Sequence, residues 1–124
     1  MSAAQPIWTP SLLQIADANL TRFMAFAGAQ GAPTGDYADF YRWSVEKPAA
    51  FWERLYQFAD VIGKRSGPVL VDGDRMPGAR WFPGTKLNFS ENLLRGPDYE
   101  PALIFRNERG TRRELNWQDL RGDV

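Results

Sequence analysis

The chain has 124 residues, with 15 basic against 15 acidic side chains, 44% hydrophobic residues and 14% aromatics, enough material for one domain or part of one. The even charge balance argues against nucleic acid or an anionic membrane as a partner, because no net field draws either in. With neither cysteine nor histidine, the stretch cannot hold a disulfide, a Cys/His zinc site, a thiol nucleophile, a serine–histidine triad or an imidazole acid–base pair, and only a carboxylate site is left open.

The opening MSAAQP has no basic start followed by an apolar run, so it does not read as a signal peptide. No run approaches the ~20 apolar residues of a membrane span, and the chain reads as cytoplasmic. Asn19 and Asn88 each head a glycosylation triplet, which without a secretory signal is read as chance.

Thr9 and Pro10 form a good helix start, and a helix is predicted over 9–28. At ~100° per residue Leu12, Ile15, Ala16, Leu20, Phe23, Phe26 and Ala27 share its apolar face. Asn19 falls in that stripe and is read as a buried amide bonded to neighbouring backbone. The sequence GAQGAPTG at 28–35 then breaks the helix. A phosphate-binding loop needs a strand before it and a helix correctly placed after it; here no strand precedes and no lysine follows, so a helix–helix linker is expected.

Asp36 can cap a second helix, 36–47, carrying Tyr37, Phe40, Tyr41 and Ser44 on one side and Trp43 nearer the other. Pro48 starts a third, 48–62, with Phe51, Leu55, Phe58 and Ile62 in one stripe and Trp52, Tyr56 and Ala59 beside it. Gly63 suits its C-terminal stop. Eight of the 17 aromatics fall between Tyr37 and Phe58, more than one small helix pair can hide. Some of them are expected to pack against protein outside this chain.

From Ser66 the texture changes. Residues 68–71 (PVLV) suggest a short buried strand, and Asp72-Gly73-Asp74 a turn; the later oxygen ligands of a calcium loop are missing. Two Pro-Gly pairs follow within 75–86, and the segment 66–87 is expected to run extended over a surface without joining a ladder, pinned by Trp81 and Phe82. Asn88 or Ser90 caps a short helix, 88–95. Residues 102–106 and 111–115 form a hairpin across 107–110, its arginines interleaved with Glu108 and Glu114 as on a solvated surface. Asn116 caps a last helix of about two turns. It runs to Val124 without a terminating glycine, which is read as an element cut short.

These elements make an α+β chain: a mostly helical N-terminal portion, an extended Pro/Gly-rich stretch, a β-hairpin and the start of a helix. Four phrases carry the reading further. The stretch FYRWSVEKPAAFW at 40–52 resembles the Tyr/Trp-Ser-x-x-x-Pro-x-x-Phe-Trp signature that opens short-chain acyl-CoA synthetases, and RWFPGTKLNFSENLL at 80–94 resembles the segment that follows it. PALIFR at 101–106 and LNWQDL at 115–120 resemble the point where the large adenylate-forming domain begins. Within the group, VLVDGDRMPGARWF at 69–82, with IWTP at 7–10 and NLTRFM at 19–24, resembles the acetoacetyl-CoA synthetase branch. An acetyl- or propionyl-CoA synthetase segment is the alternative within the class, and a free-standing aromatic-rich interaction module the alternative outside it.

The resemblance implies an accessory region over 1–98 and the beginning of an AMP-binding large domain, of α/β fold, over 99–124. It implies a longer ligase that uses ATP, Mg2+ and CoA, with the downstream AMP-binding and C-terminal domains of the same polypeptide as the partners of this stretch, and with neither nucleic acid nor membrane among them. No phosphate loop, nucleotide contact, metal ligand or catalytic lysine of the family has a counterpart here, so no catalytic, cofactor-binding or metal-binding residue is assigned. Trp43, Pro48, Phe51, Trp52, Arg80, Trp81, Phe82, Asn88 and Asn92 are the signature positions. They are read as anchors to the main domain, with contact of Arg80, Trp81 or Phe82 to CoA or nucleotide as the alternative. The family often has an acidic cap where this chain has Lys47, and its loss costs the Pro48 helix about 1 kcal/mol.

Overall fold

The computed structural model describes residues 7–124. Its elements run α1 (Leu12–Asp17), α2 (Asn19–Gly28), α3 (Tyr37–Glu46), α4 (Pro48–Phe58), β1 (Leu70–Val71), β2 (Arg80–Trp81), α5 (Phe89–Leu93), β3 (Pro101–Arg106), β4 (Arg112–Asn116) and α6 (Trp117–Gly122). They fall into two compact units. The first takes the chain to residue 61 together with 69–81; the second takes 62–68 and 82–124.

In the first unit two helices stand where a single helix over 9–28 was expected. Ser11, not Thr9, caps α1 in a reciprocal box with Gln14. The chain leaves helical geometry at Ala18 (φ −63°, ψ 138°). There the Thr21 hydroxyl donates to the Ile15 carbonyl at 2.5 Å, satisfying an end group of α1 while α2 begins. The break rotates the two halves out of register. Phe23 and Ala27 of α2 are buried, whereas Leu12, Ile15 and Leu20 of the expected stripe are exposed. Asn19 is exposed at the first turn of α2 and is not a buried amide.

The core lies where α2, α3 and α4 meet. Phe23, 4% exposed, receives Phe40 and Phe51 edge-to-face with centroids 5.5 Å away in both cases, and Phe58 at 5.2 Å. Such ring pairs contribute about 0.5–1.5 kcal/mol each beyond the area they bury. Trp43 closes the cluster against Phe40 and Phe51.

Helix α3 therefore presents Phe40 and Trp43 inward, while Tyr37 and Tyr41 stack on each other at 6.3 Å on the exposed side. This reverses the expected partition. Residues i and i+3 share a face as readily as i and i+4, and a tyrosine hydroxyl is better left in water than buried among phenylalanines.

Asp36 caps α3 as expected, accepting from the Asp39 amide at 3.0 Å. Lys47 precedes α4 without any side-chain cap. The end of α4 comes sooner than expected and not at Gly63. The Asp60 amide bonds the Gln57 carbonyl and the Val61 amide the Tyr56 carbonyl, a Schellman closure whose left-handed position (φ 49°) is taken by Asp60.

The Pro/Gly-rich segment forms a small ladder after all. β1 and β2 pair antiparallel, Leu70 opposite Trp81 and Val71 opposite Arg80. Both strand-β1 residues are half-buried. The Asp72–Asp74 turn is present, with Asp72 at φ 55°, and the peptide bond between Met76 and Pro77 is cis. Proline and glycine are confined to the connection, so neither interrupts the two paired residues on each side.

In the second unit, β3 and β4 form the expected hairpin, with Leu103 opposite Leu115 and Phe105 opposite Arg113. Gly110 supplies the left-handed turn residue (φ 77°), while the Asn107 side chain accepts from the amides of Arg109 and Thr111. Asn116 caps α6 through the Asp119 amide at 2.8 Å. Arg121 then reaches back, donating to the carbonyls of Leu94 and Gly96 and pairing with Asp98. The last helix is thus tied to the loop before the hairpin. Gly96 lies against the Trp117 ring so closely that a Cβ there would overlap it.

A thermal or urea unfolding series checks the placement of the core. Phe23→Ala is expected to destabilise the first unit by about 3 kcal/mol or more, and Tyr41→Ala, on the exposed side of α3, by less than about 0.5 kcal/mol.

Candidate anchoring residues

Helix α4 shows how the signature works locally. Phe51 and Trp52 are consecutive, so their side chains diverge by ~100° around the axis. Phe51 enters the phenylalanine cluster, while Trp52 turns to the β1–β2 hairpin and meets Trp81 at 5.6 Å and 60°. Pro48 occupies the first turn of α4, where its missing N–H costs nothing. Trp43 and Phe51 meet at 5.8 Å. The Trp…Pro…Phe-Trp spacing thus joins helix α3, helix α4 and the hairpin by ring contacts. Arg80, across the hairpin, lies 3.4 Å from Asp72 in a largely exposed ion pair, worth ~1 kcal/mol at most.

The remaining signature residues lie in the second unit. Phe82 adopts φ 45°, an uncommon conformation for a bulky residue. Its carbonyl accepts from the Thr85 amide, and its ring lies under the Arg65 guanidinium at 5.7 Å. Asn88 caps α5 through the Glu91 amide at 3.3 Å.

Asn92 does more than a signature position was expected to do. Its Oδ1 accepts from the Ile62 amide at 2.8 Å, and its Nδ2 donates to the Ile62 carbonyl at 2.8 Å and the Asn88 carbonyl at 2.9 Å. One side-chain amide thus satisfies both backbone groups of a residue 30 positions earlier, as a paired strand would. The Lys64–Lys86 bridge and the bond from the Ser66 hydroxyl to the Gly84 carbonyl at 2.7 Å continue the same pairing.

The nine signature residues are divided between the two units. Six belong to the first unit and three to the second, and their polar contacts are spent inside the chain. Among the described residues no group of three or more acidic side chains is placed to hold a metal. In the glycine-rich linker the amides of residues 29–32 donate to carbonyls of the last turn of α2, so this half of the linker closes the helix.

What the surface does offer is apolar area. Leu103, Ile104 and Phe105 of β3 are 51%, 54% and 54% exposed. They alternate between the two faces of a two-stranded sheet, so both faces are open. No described residue of the second unit is buried, and isolated hairpins are marginal in water.

Comparison with known proteins shows what this chain is similar to. Residues 37–93 match the family described as "Acetyl-coenzyme A synthetase N-terminus". Acetoacetyl-coenzyme A synthetase of Rhizobium meliloti (strain 1021) is 40% identical over 125 residues, covering all of this chain and 19% of that protein. Malonamoyl-CoA synthetase of Penicillium aethiopicum is 34% identical over 96 residues, covering 71% of this chain and 13% of that one. The structure of acetoacetyl-CoA synthetase from Streptomyces lividans superposes with a TM-score of 0.85 at 42% identity, over 95% of this chain and 19% of that chain. Over its whole length, therefore, the chain matches the N-terminal region of acetoacetyl-CoA synthetase. It spans about a fifth of the length of the relatives it matches.

Two substitutions check the role of the Asn92 amide. Asn92→Ala is expected to destabilise the second unit by about 1–2 kcal/mol by leaving both Ile62 groups without their partner. Asn92→Asp should be no milder, since it keeps the acceptor but turns a carboxylate on two carbonyl oxygens. Full stability of the Asp variant in a urea titration would contradict this.

Proposed function

We propose that the chain is the N-terminal segment of an ATP-dependent acetoacetate–CoA ligase, which converts acetoacetate, ATP and CoA to acetoacetyl-CoA, AMP and pyrophosphate. The supporting observation is the full-length match to acetoacetyl-CoA synthetases of which it spans about a fifth. In this reading the segment covers and braces the nucleotide-binding domain, and ATP, Mg2+ and CoA are held by later parts of the polypeptide. Residues 1–98 serve as the accessory region, 99–124 open the AMP-binding domain, and the exposed β3–β4 hairpin is completed by strands and helices of that domain. Trp43, Phe51, Trp52 and Trp81 act by fixing the shape of the first unit, and Phe82, Asn88 and Asn92 that of the second.

Among the described residues no helix is long and apolar enough to cross a membrane; the proposed ligase works in the cytoplasm. An acetate- or other acyl-specific enzyme is the second reading. It is favoured by the family description matched at 37–93 and by the relative named malonamoyl-CoA synthetase. In both readings the acyl group is recognised by the rest of the polypeptide.

The test is ATP-dependent AMP release by the polypeptide as it continues in its source DNA, with acetoacetate and with acetate. Turnover of acetoacetate far above acetate is expected for the longer protein, and none for the 124 residues alone. Preference for acetate would replace the substrate, and turnover by the isolated chain would overturn the division of labour.

A further inference from the structure

The turn between β1 and β2 places two geometric demands on consecutive residues. Residue 72 stands in the left-handed region at φ 55°, which short polar side chains tolerate and most others resist. Residue 73 lies against the Leu70 side chain, where a Cβ would come within 2.5 Å of Leu70 Cδ2 and 3.0 Å of its Cγ. Aspartate followed by glycine meets both demands. It is also the pairing in which a side-chain carboxyl is most open to attack by the next amide, because glycine has no Cβ to crowd the nitrogen.

Elsewhere every aspartate and asparagine is followed by a residue that carries a side chain. Asp36, Asn88 and Asn116 are further occupied in capping helices. The restraints on Asp72 are fewer. Its carboxylate faces Arg80 at 3.4 Å in an ion pair open to solvent, and its carbonyl accepts from the Arg75 amide at 3.0 Å. Residues 73–78 are all exposed, and the strands on either side contribute two residues each. A segment with so few contacts opens locally at little cost. Opening lets the Gly73 nitrogen swing towards Asp72 Cγ.

We infer that Asp72 is a modification site, where the chain converts spontaneously to isoaspartate. The Gly73 nitrogen attacks Asp72 Cγ and gives up its proton, one water leaves, and a five-membered succinimide closes. A water then adds to the former main-chain carbonyl carbon and breaks its bond to nitrogen, so mass and oxidation state end unchanged. The main chain now runs through Cβ and Cγ and is one carbon longer. The oxygen that accepted from Arg75 belongs to a free carboxylate, and the carboxyl that faced Arg80 has become the peptide carbonyl. Both contacts of the turn are rewritten next to the Val71–Arg80 pair, in the hairpin that carries Trp81 to Trp52.

Isoaspartyl methyltransferase with a labelled methyl donor, followed by peptide mapping, reads the conversion in chain aged in warm neutral buffer. Label is expected at residue 72 well above every other aspartate. Gly73→Ala should cut it at least several-fold even though it crowds Leu70 and loosens the turn, because the added Cβ shields the amide. Asp72→Glu keeps a carboxylate near Arg80 but needs a larger ring, and should abolish it. Label spread evenly over the aspartates, no label, or label undiminished in Gly73→Ala would overturn the inference. The readout needs neither ATP nor CoA, so it stands or falls apart from the proposed ligase activity.

Discussion

Phe23 sits at the centre of the first unit, and the order of that unit depends on the rings that close around it. Phe40 arrives from α3, Phe51 and Phe58 from α4, all with centroids within 5.5 Å. Among the described residues the buried hydrophobic ones are Phe23, Ala27, Ala32 and Phe40, with Phe51 and Phe58 partly buried against them. Ring packing of this kind fixes directions as well as energy. Once Phe51 is held edge-on to Phe23, its neighbour Trp52 must leave α4 on another bearing. That bearing carries it to Trp81 and sets where the β1–β2 hairpin can lie. The second unit has no such centre. It is held by backbone-like hydrogen bonds instead, from Asn92 to Ile62 and from Arg121 to the loop at 94–98.

Where the determining contact is local, it can be read from the chain. Asp36, Asn88 and Asn116 each cap the helix that follows, because an N-cap needs only the amides two or three residues ahead. The uncapped start at Lys47 is legible for the same reason. The turn at 107–110 follows from one asparagine and one glycine.

Distant or degenerate determinants are hidden. Ala18 carries no signal of a break; the Thr21 hydroxyl that stabilises it reads as an ordinary helical threonine. The inward face of α3 is ambiguous because Phe40 belongs equally to a stripe with Tyr41 and to one with Trp43. Asp60 takes the left-handed position for which Gly63 looked suited, since a Schellman closure depends on where the helix stops. Asn92 reads only as part of a short helix, because the residue it serves lies 30 positions away. The division of the signature positions between two units was not legible, as sequence spacing does not say which compact unit a residue joins.

The large apolar residues left open mark surface that the proposed longer protein would cover. Twenty-one of them are exposed among the described residues, far beyond the scattered singles that need no explanation. Those on β3 occupy both faces of a sheet too small to be stable alone. A segment built to brace a larger domain would carry its own core in the first unit and borrow one in the second. Amide hydrogen exchange along the chain, alone and within the continued polypeptide, measures that difference most directly. The account predicts that β3 and β4 exchange rapidly in the 124 residues and become strongly protected in the longer protein, while α2 and α4 are protected similarly in both. Equal protection of β3 and β4 in the two would contradict it.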